Sequence, residues 1–181
     1  MLESIKESGD YLRQIRNNVP EKTSAIKQSL DNKSLPKTKE GKIRVIELGT
    51  GGGESLKQLK THISGRDNVE LIAVDIIPKL IATLKKEVGV EGIVADAGIL
   101  PFADESISVM NASAVLHEIS SYGINHRLEN IRKIETLYGK DAVIKTLEEF
   151  NRVLLPGGKI AYRDVLAPLE NLTKQKTVEY F

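Results

Sequence analysis

The 181-residue chain contains no cysteine, which removes disulfides, thiolate catalysis and the usual soft zinc ligands together. It has no excess of charge of either sign. With 26 basic against 25 acidic residues the formal net charge is +1, so no global field favours nucleic acid or an anionic membrane surface. No apolar run approaches the roughly 18 residues of a membrane span. The N-terminal Met1-Leu2-Glu3-Ser4-Ile5-Lys6-Glu7 lacks the apolar core of a signal peptide. These absences predict a cytoplasmic protein with no membrane partner; nucleic acid is not indicated, a local basic patch being still open. What is present, 28% charged and 40% hydrophobic residues, suffices for one domain with a two-faced core.

The most informative stretch is Val45-Ile46-Glu47-Leu48-Gly49-Thr50-Gly51-Gly52-Gly53-Glu54. An apolar, β-branched run enters a glycine cluster, and Ser55, Leu56, Leu59 and His62 then fall at helical spacing, which predicts strand, tight loop and helix. Glycine permits positive φ and removes the Cβ atoms that hold a ligand away, while the first amides of the helix point into the space so vacated. Two phosphate-binding patterns fail here. The dinucleotide fingerprint of a nicotinamide oxidoreductase needs a third small residue where Glu54 stands, and no Gly-Lys-Ser/Thr closes the loop as in a P-loop. Glu47 and Glu54 also place negative charge where a pyrophosphate would sit.

Further strands end in acids. Leu71-Ile72-Ala73-Val74-Asp75 reads as a buried strand, and ligands of a doubly wound sheet gather at the carboxyl ends of strands, so Asp75 is expected to face the loop's ligand and accept ribose hydroxyls. Capping the helix expected over Pro78 to Val88 is the alternative role for this acid. A short third strand is expected within Gly92 to Ala97, ending at Asp96. A fourth is expected over about Ile107 to Ala112, and a fifth from Ile160 to Val165 with Asp164 at its end.

The pattern Glu47-x-Gly49-x-Gly51-x-Gly53 resembles the first motif of the class I S-adenosylmethionine-dependent methyltransferases. Asp96-Ala97, the Leu100-Pro101-Phe102 run, Val115-Leu116-His117 and Arg152-Val153-Leu154-Leu155-Pro156-Gly157-Gly158 resemble further segments of that family in the same order, over about residues 43–165. Ser108 stands where the family has an acid and Leu155 where it commonly has a lysine. The resemblance implies an α/β fold with a doubly wound, mostly parallel, Rossmann-like sheet, and S-adenosylmethionine as cofactor, whose ammonium and sulfonium suit an acidic glycine loop. It implies a cofactor-binding set of Glu47, Gly49, Thr50, Gly51, Gly53, Asp75, Ile76, Asp96, Ala97 and Asn111. In that set the glycine motif holds the methionine end, Asp75 the ribose, and Asp96 with Ala97 the adenine. His117 falls at the methyl-transfer site, as general base or as a substrate-orienting residue; a packing role is the alternative. Glu118 is either a contact for a cationic substrate or solvated. No metal is implied. The expected activity is methyl transfer to an undetermined acceptor, a small molecule by preference, and a non-catalytic binding or structural module of a larger protein is the second reading.

In organisation, residues 1–40 are expected to form an amphipathic helical arm and a polar linker, with Pro20 in the first turn of a second helix, and residues 41–181 the Rossmann-like domain. The arm either covers the site or packs on the sheet edge. Ile124, Leu128, Ile131, Ile134 and Tyr138 follow helical spacing and predict an extra crossover helix, whose face of His126, Arg127, Arg132 and Lys133 either contacts an anionic substrate or is solvated. Asp141 is expected to cap the next helix. The family's sheet normally has seven strands, and only Leu166 to Phe181 follow the fifth here. The expectation is therefore a fragment lacking the last strands in preference to a natural short form, with an open edge that invites a homodimer or a further domain, the alternative being that Leu166 to Phe181 folds back over that edge.

Overall fold

A computed structural model describes residues 19–32, 34–127 and 134–164. Its elements in chain order are α1 (Val19–Asp31), β1 (Ile43–Leu48), α2 (Glu54–His62), β2 (Val69–Asp75), α3 (Pro78–Glu87), β3 (Glu91–Val94), β4 (Ile107–Ser113), α4 (Leu116–Tyr122), β5 (Ile124–Arg127), β6 (Ile134–Leu137), α5 (Gly139–Val153) and β7 (Leu154–Arg163). Five strands form one sheet in the order β3-β2-β1-β4-β7, every neighbouring pair parallel. The chain builds outward from β1 to β3, then crosses back to β4 on the other side of β1. The crevice where the order reverses lies above the carboxyl ends of β1 and β4, which is where such sheets bind ligands.

Alternation along each strand divides the core between two faces. Ile43 and Val45 of β1, Val109 of β4 and Ala161 of β7 join Ile26 and Leu30 of α1 and Leu59 of α2 in one buried cluster. Ile46, Leu48, Ile72, Val74, Met110 and Ala112 point the other way and pack with Ile119 of α4 and Phe150 and Val153 of α5. Helix α1 therefore lies flat on a sheet face. Its direction is set by polar ties. The Arg66 guanidinium donates to the Leu30 carbonyl and His62 meets Asp31 at 2.9 Å, while Lys27 and Thr23 reach Gln58 one turn earlier in α2. The amino-terminal turn of α1 thus stands at the carboxyl end of the strands. Residues 1–18 of the expected arm, and all of Leu166 to Phe181, lie outside the described residues.

The expected crossover helix is replaced by an antiparallel pair, β5 with β6, in which Ile124 faces Leu137 and Arg127 faces Ile134. Gly123 ends α4 with φ 81° and ψ 175°, sending the chain out extended. Buried Ile124 and partly buried Leu137 then pack on the core under α4 and α5. A spacing of isolated isoleucines fitted a helix, but their β-branching suits a strand equally well. Leu128, Ile131, Arg132 and Lys133 lie outside the described residues. Tyr138 is the extended residue before α5, so Asp141 sits in the first turn rather than at the cap.

The fifth parallel strand, β7, starts six residues earlier than expected. Leu154 pairs with Ile107, but Lys159 already pairs with Val109, so Leu155-Pro156-Gly157-Gly158 forms a bulge inside the ladder, with φ 79° at Gly157. Ser108, where the family has an acid, is fully buried and its hydroxyl accepts the Arg44 amide at 3.0 Å, stitching β1 to β4 where their register pairing begins.

Candidate functional site

The loop after β1 has positive φ at each of its alternating glycines: 63° at Gly49, 51° at Gly51 and 76° at Gly53. At Gly49 the need is steric as well, since an added Cβ would lie 2.6 Å from Val115 Cγ2. The loop folds so tightly that the chain leaving β4 packs straight onto it. Ala114, between β4 and Val115, is itself left-handed at φ 60°, and its amide donates to the Arg163 carbonyl at 2.6 Å. Strained backbone of this kind persists where the surroundings over-determine it, at the rim of a site.

Beside this loop lies a cavity of about 400 Å3, within the range of cofactor and small-molecule sites. Gly49, Asp75, Ile76, Asp96 and Ala97 all line it, so three separate strand ends meet there as expected. Glu47, Thr50, Gly51, Gly53, Asn111 and His117 do not line it. The wall includes residues that sequence reasoning missed: Ile77 and Pro78 opening α3, Val115, and Ile119, Tyr122 and Ile124. The apolar spacing of Ile119 and Ile124 was visible, but not that a sharp extended turn would bend Ile124 back over the cavity. Glu118, rather than His117, is the wall residue of that pair.

Asp75 is 4% exposed. Its Oδ1 accepts the Ile77 amide at 3.0 Å, and Thr50 Oγ1 lies 3.5 Å from its Oδ2. Asp75 thus shapes the turn before α3 and stands in the cavity wall, but it does not cap the helix as the alternative reading expected: Ile77 is the N-cap and no side chain caps it. Ile76 exposes 59% of its surface, an apolar flap beside a buried carboxylate. Asp96 lies just past β3, not within it, and its Oδ1 accepts the Gly98 amide at 2.9 Å. The loop that follows it, Leu100–Asp104, is held from α5. Arg152 donates to the Leu100 and Phe102 carbonyls and to Asp104 and Glu149, while Glu149 accepts the Leu100 amide at 2.7 Å. Two family-like segments fifty residues apart, Leu-Pro-Phe and Arg-Val-Leu, are thus a donor and its acceptors.

Glu47 is buried below the loop, and burial pushes its carboxyl up to about 7 against the pull of the Ser55 hydroxyl, the Lys22 ammonium and the Asn111 side chain. It sits opposite Asn111 in the β1–β4 register. Glu47 Oε2 and Asn111 Nδ2 are both buried and make no hydrogen bond of good geometry, although Asn111 lies near enough to stabilise the Glu47 carboxylate. A native fold leaves such atoms unpaired at a cost, which marks them for a ligand. On the far side, His117 opens α4 with Nδ1 2.5 Å from Asp164 Oδ1. Among the described residues no group of acids and histidines is arranged to hold a metal, and no helix is long and apolar enough to cross a membrane.

Comparison with known proteins agrees with this geometry. A family model described as a methyltransferase domain matches residues 46–162. Among solved structures, the CurJ carbon methyltransferase matches with TM-score 0.55 at 20% identity, covering 74% of this chain and 31% of its own. The methyltransferase in complex with the Haloferax volcanii Trm112 activator matches with TM-score 0.51 at 21% identity, over 82% of this chain and 55% of its own. An S-adenosylmethionine-dependent methyltransferase from Aquifex aeolicus matches with TM-score 0.50 at 19% identity, over 82% and 79%. The chain thus spans about a third to a half of the first two proteins. Comparison with curated proteins finds no match. With the glycine loop at the switch point and the matched model spanning most of the described sheet, the chain belongs to the class I methyltransferase domain family, whose cofactor is S-adenosylmethionine.

Proposed function

We propose that this chain transfers a methyl group from S-adenosylmethionine to a small molecule. The observation that carries the proposal is the convergence of Gly49, Asp75, Ile76, Asp96 and Ala97 on one cavity, beside a buried Glu47 whose Oε2 makes no hydrogen bond of good geometry. The cofactor supplies a methyl made electrophilic by its sulfonium; the protein must align a nucleophile with it and keep water out. Asp75 offers Oδ2 to the ribose hydroxyls. Asp96 and the Ala97 amide address the adenine, with Ile76 covering its face. Thr50 and the positive-φ glycines leave room for the chain between them, and Glu47, faced by Asn111, takes the ammonium.

His117 is the proposed general base. With Asp164 accepting from Nδ1, the unprotonated Nε2 is left to take a proton from a hydroxyl or an acidic carbon of the acceptor. Calorimetry with S-adenosylmethionine and S-adenosylhomocysteine, followed by methyl-transfer assays over hydroxyl, carbon-acid and amine acceptors, tests the reading. The expected result is binding of both ligands and turnover of a small acceptor. Binding with no turnover in any acceptor class would leave the non-catalytic module instead.

A further inference from the structure

Ser113 and Arg163 close β4 and β7 as register partners, and neither lines the cavity that Asp75 and Asp96 share. Those two acids stand at the end of β2 and just past β3, on one side of the glycine loop. Strands β4 and β7 lie on its other side in the sheet order. His117 is anchored on that side, by Asp164 just past the end of β7. An acceptor that meets this base lies over the β4–β7 pair, so the side chains closing these two strands select it.

Ser113 and Arg163 face the same way. Val109 of β4 and Ala161 of β7 both belong to the cluster under α1, and strand alternation carries that face through Asn111 to Ser113 and from Ala161 to Arg163. Helix α1 agrees with this placement. It presses Leu30 and Ile26 onto the face, and Lys22, one turn nearer the strand ends, is half-buried. Burial first, then the nearby Arg163, lower the Lys22 ammonium below the usual lysine value, while Glu47 and Glu118 act in the opposite sense. Two cations are thus held in each other's field at one corner of the sheet.

Beside the exposed Arg163, Ser113 Oγ is buried and finds no hydrogen-bond partner among the described residues. Such an atom costs free energy until a ligand matches it. A planar guanidinium fork fits the two oxygens of a carboxylate, and a hydroxyl beside it supplies one more donor. Glu47, Glu118 and Asp164 stand near the same corner and repel a dianion such as phosphate more strongly than a monoanion. We propose that the methyl acceptor carries a carboxylate, bound by the Arg163 guanidinium and the Ser113 hydroxyl, while its reacting atom meets His117 across the end of β7. This deepens the methyl-transfer reading given above and rests on it.

The test is calorimetry on the full chain saturated with S-adenosylhomocysteine. The probes are salicylate, para-hydroxybenzoate and para-hydroxyphenylpropionate, which space hydroxyl and carboxylate differently, each beside its uncharged amide. At least one acid is expected to bind wild-type protein tenfold or more tighter than its amide. Arg163→Met should shrink that preference below twofold and change S-adenosylhomocysteine affinity less than twofold. Arg163→Lys should keep part of the preference, since it retains the charge without the fork, and Ser113→Ala should lower acid affinity severalfold. In methyl-transfer assays of the preferred acid, the loss in Arg163→Met should appear in KM rather than kcat. Acids and amides binding alike, no acid binding, or a preference that survives Arg163→Met would each overturn the proposal, while bound S-adenosylhomocysteine leaves the cofactor reading standing. An acid held through Arg163 yet never methylated would overturn the corner as an acceptor site. Wild-type protein that does not bind S-adenosylhomocysteine would overturn the cofactor reading itself, and this proposal with it.

Discussion

Asp164 holds His117 twice: Oδ1 meets the ring Nδ1 at 2.5 Å, and Oδ2 accepts the His117 backbone amide at 3.1 Å. One carboxylate thereby ties the end of β7 to the first turn of α4 and fixes both the position and the tautomer of the ring. Packing alone does not require this, because the His117 side chain is 45% exposed.

If the two act as a unit, His117→Ala should lower kcat by about 100-fold or more, and Asp164→Ala by a smaller factor. The double variant should be little worse than His117→Ala, since residues acting through one another are not additive. S-adenosylhomocysteine affinity should hardly change in any of the three. Additive losses in kcat, or a parallel fall in cofactor affinity, would assign the pair a structural role.

If Glu47 holds the cofactor's ammonium, cofactor binding and stability should respond to pH in opposite directions. Its folded-state value of about 7 lies above the ordinary 4.5, so the folded chain holds this proton more tightly than the unfolded one. The stability from that proton is fully present below about pH 4.5 and is lost as the pH rises to about 7. A difference of that size corresponds to about 3 kcal/mol at roughly 1.36 kcal/mol per pH unit. Glu47→Gln should therefore gain stability over wild type as the pH is raised through this range, read from urea midpoints. An ammonium-bearing ligand needs the ionised carboxylate, so S-adenosylhomocysteine affinity should rise over the same interval in wild type and stay flat in the variant. A wild-type affinity that falls with rising pH would exclude Glu47 as the ammonium's partner.

Asp75 holds the turn with Oδ1 and lines the cavity, and two substitutions separate these. Asn can keep an acceptor for the Ile77 amide but loses the charge; Ala loses both. Asp75→Asn is expected to weaken S-adenosylhomocysteine by about 1.5 to 3 kcal/mol, roughly tenfold or more, the worth of hydrogen bonds to a charged group. Its thermal midpoint should remain near wild type. Asp75→Ala should show the same loss of affinity and also a lower midpoint. A normal affinity in Asp75→Asn would reduce this residue to holding the turn before α3.

Much of this site was legible before the fold was. Glycines at alternate positions after a β-branched run, and acids at or just past strand ends at Asp75 and Asp96, encode their places locally, through φ and through strand ends. What was hidden depends on contacts between distant elements. Lys22 reads as one more charge on an amphipathic arm until the direction of α1 is known, and that direction is fixed by Gln58, His62 and Arg66. Whether His117 or Glu118 faces the cavity depends on where α4 starts after the left-handed Ala114. The ribbon of β5 and β6 was missed because Ile124 and Ile134 fit two periods, and the choice is made by Ile124 and Leu137 pairing over the core.

Arg152 provides a test of how a distant residue shapes the cofactor site. Its guanidinium joins α5 to the Leu100–Asp104 loop by three hydrogen bonds, to Asp104 and the carbonyls of Leu100 and Phe102, and makes two more to Glu149 within α5. Glu149 in turn holds the Leu100 amide, four residues beyond the Asp96 turn. Replacement by leucine leaves the Glu149 carboxylate, 13% exposed, without its counter-ion, and two carbonyls without donors. Arg152→Leu is expected to cost about 2 kcal/mol or more of stability. It should also weaken adenosine-containing ligands severalfold without touching their amino-acid end, so methylthioadenosine and S-adenosylhomocysteine should lose affinity alike. Asp104, 75% exposed, contributes little as a surface ion pair, and Asp104→Ala should be nearly neutral. Equal destabilisation by the two substitutions, or an unchanged methylthioadenosine affinity in Arg152→Leu, would show that this clasp does not support the adenine loop.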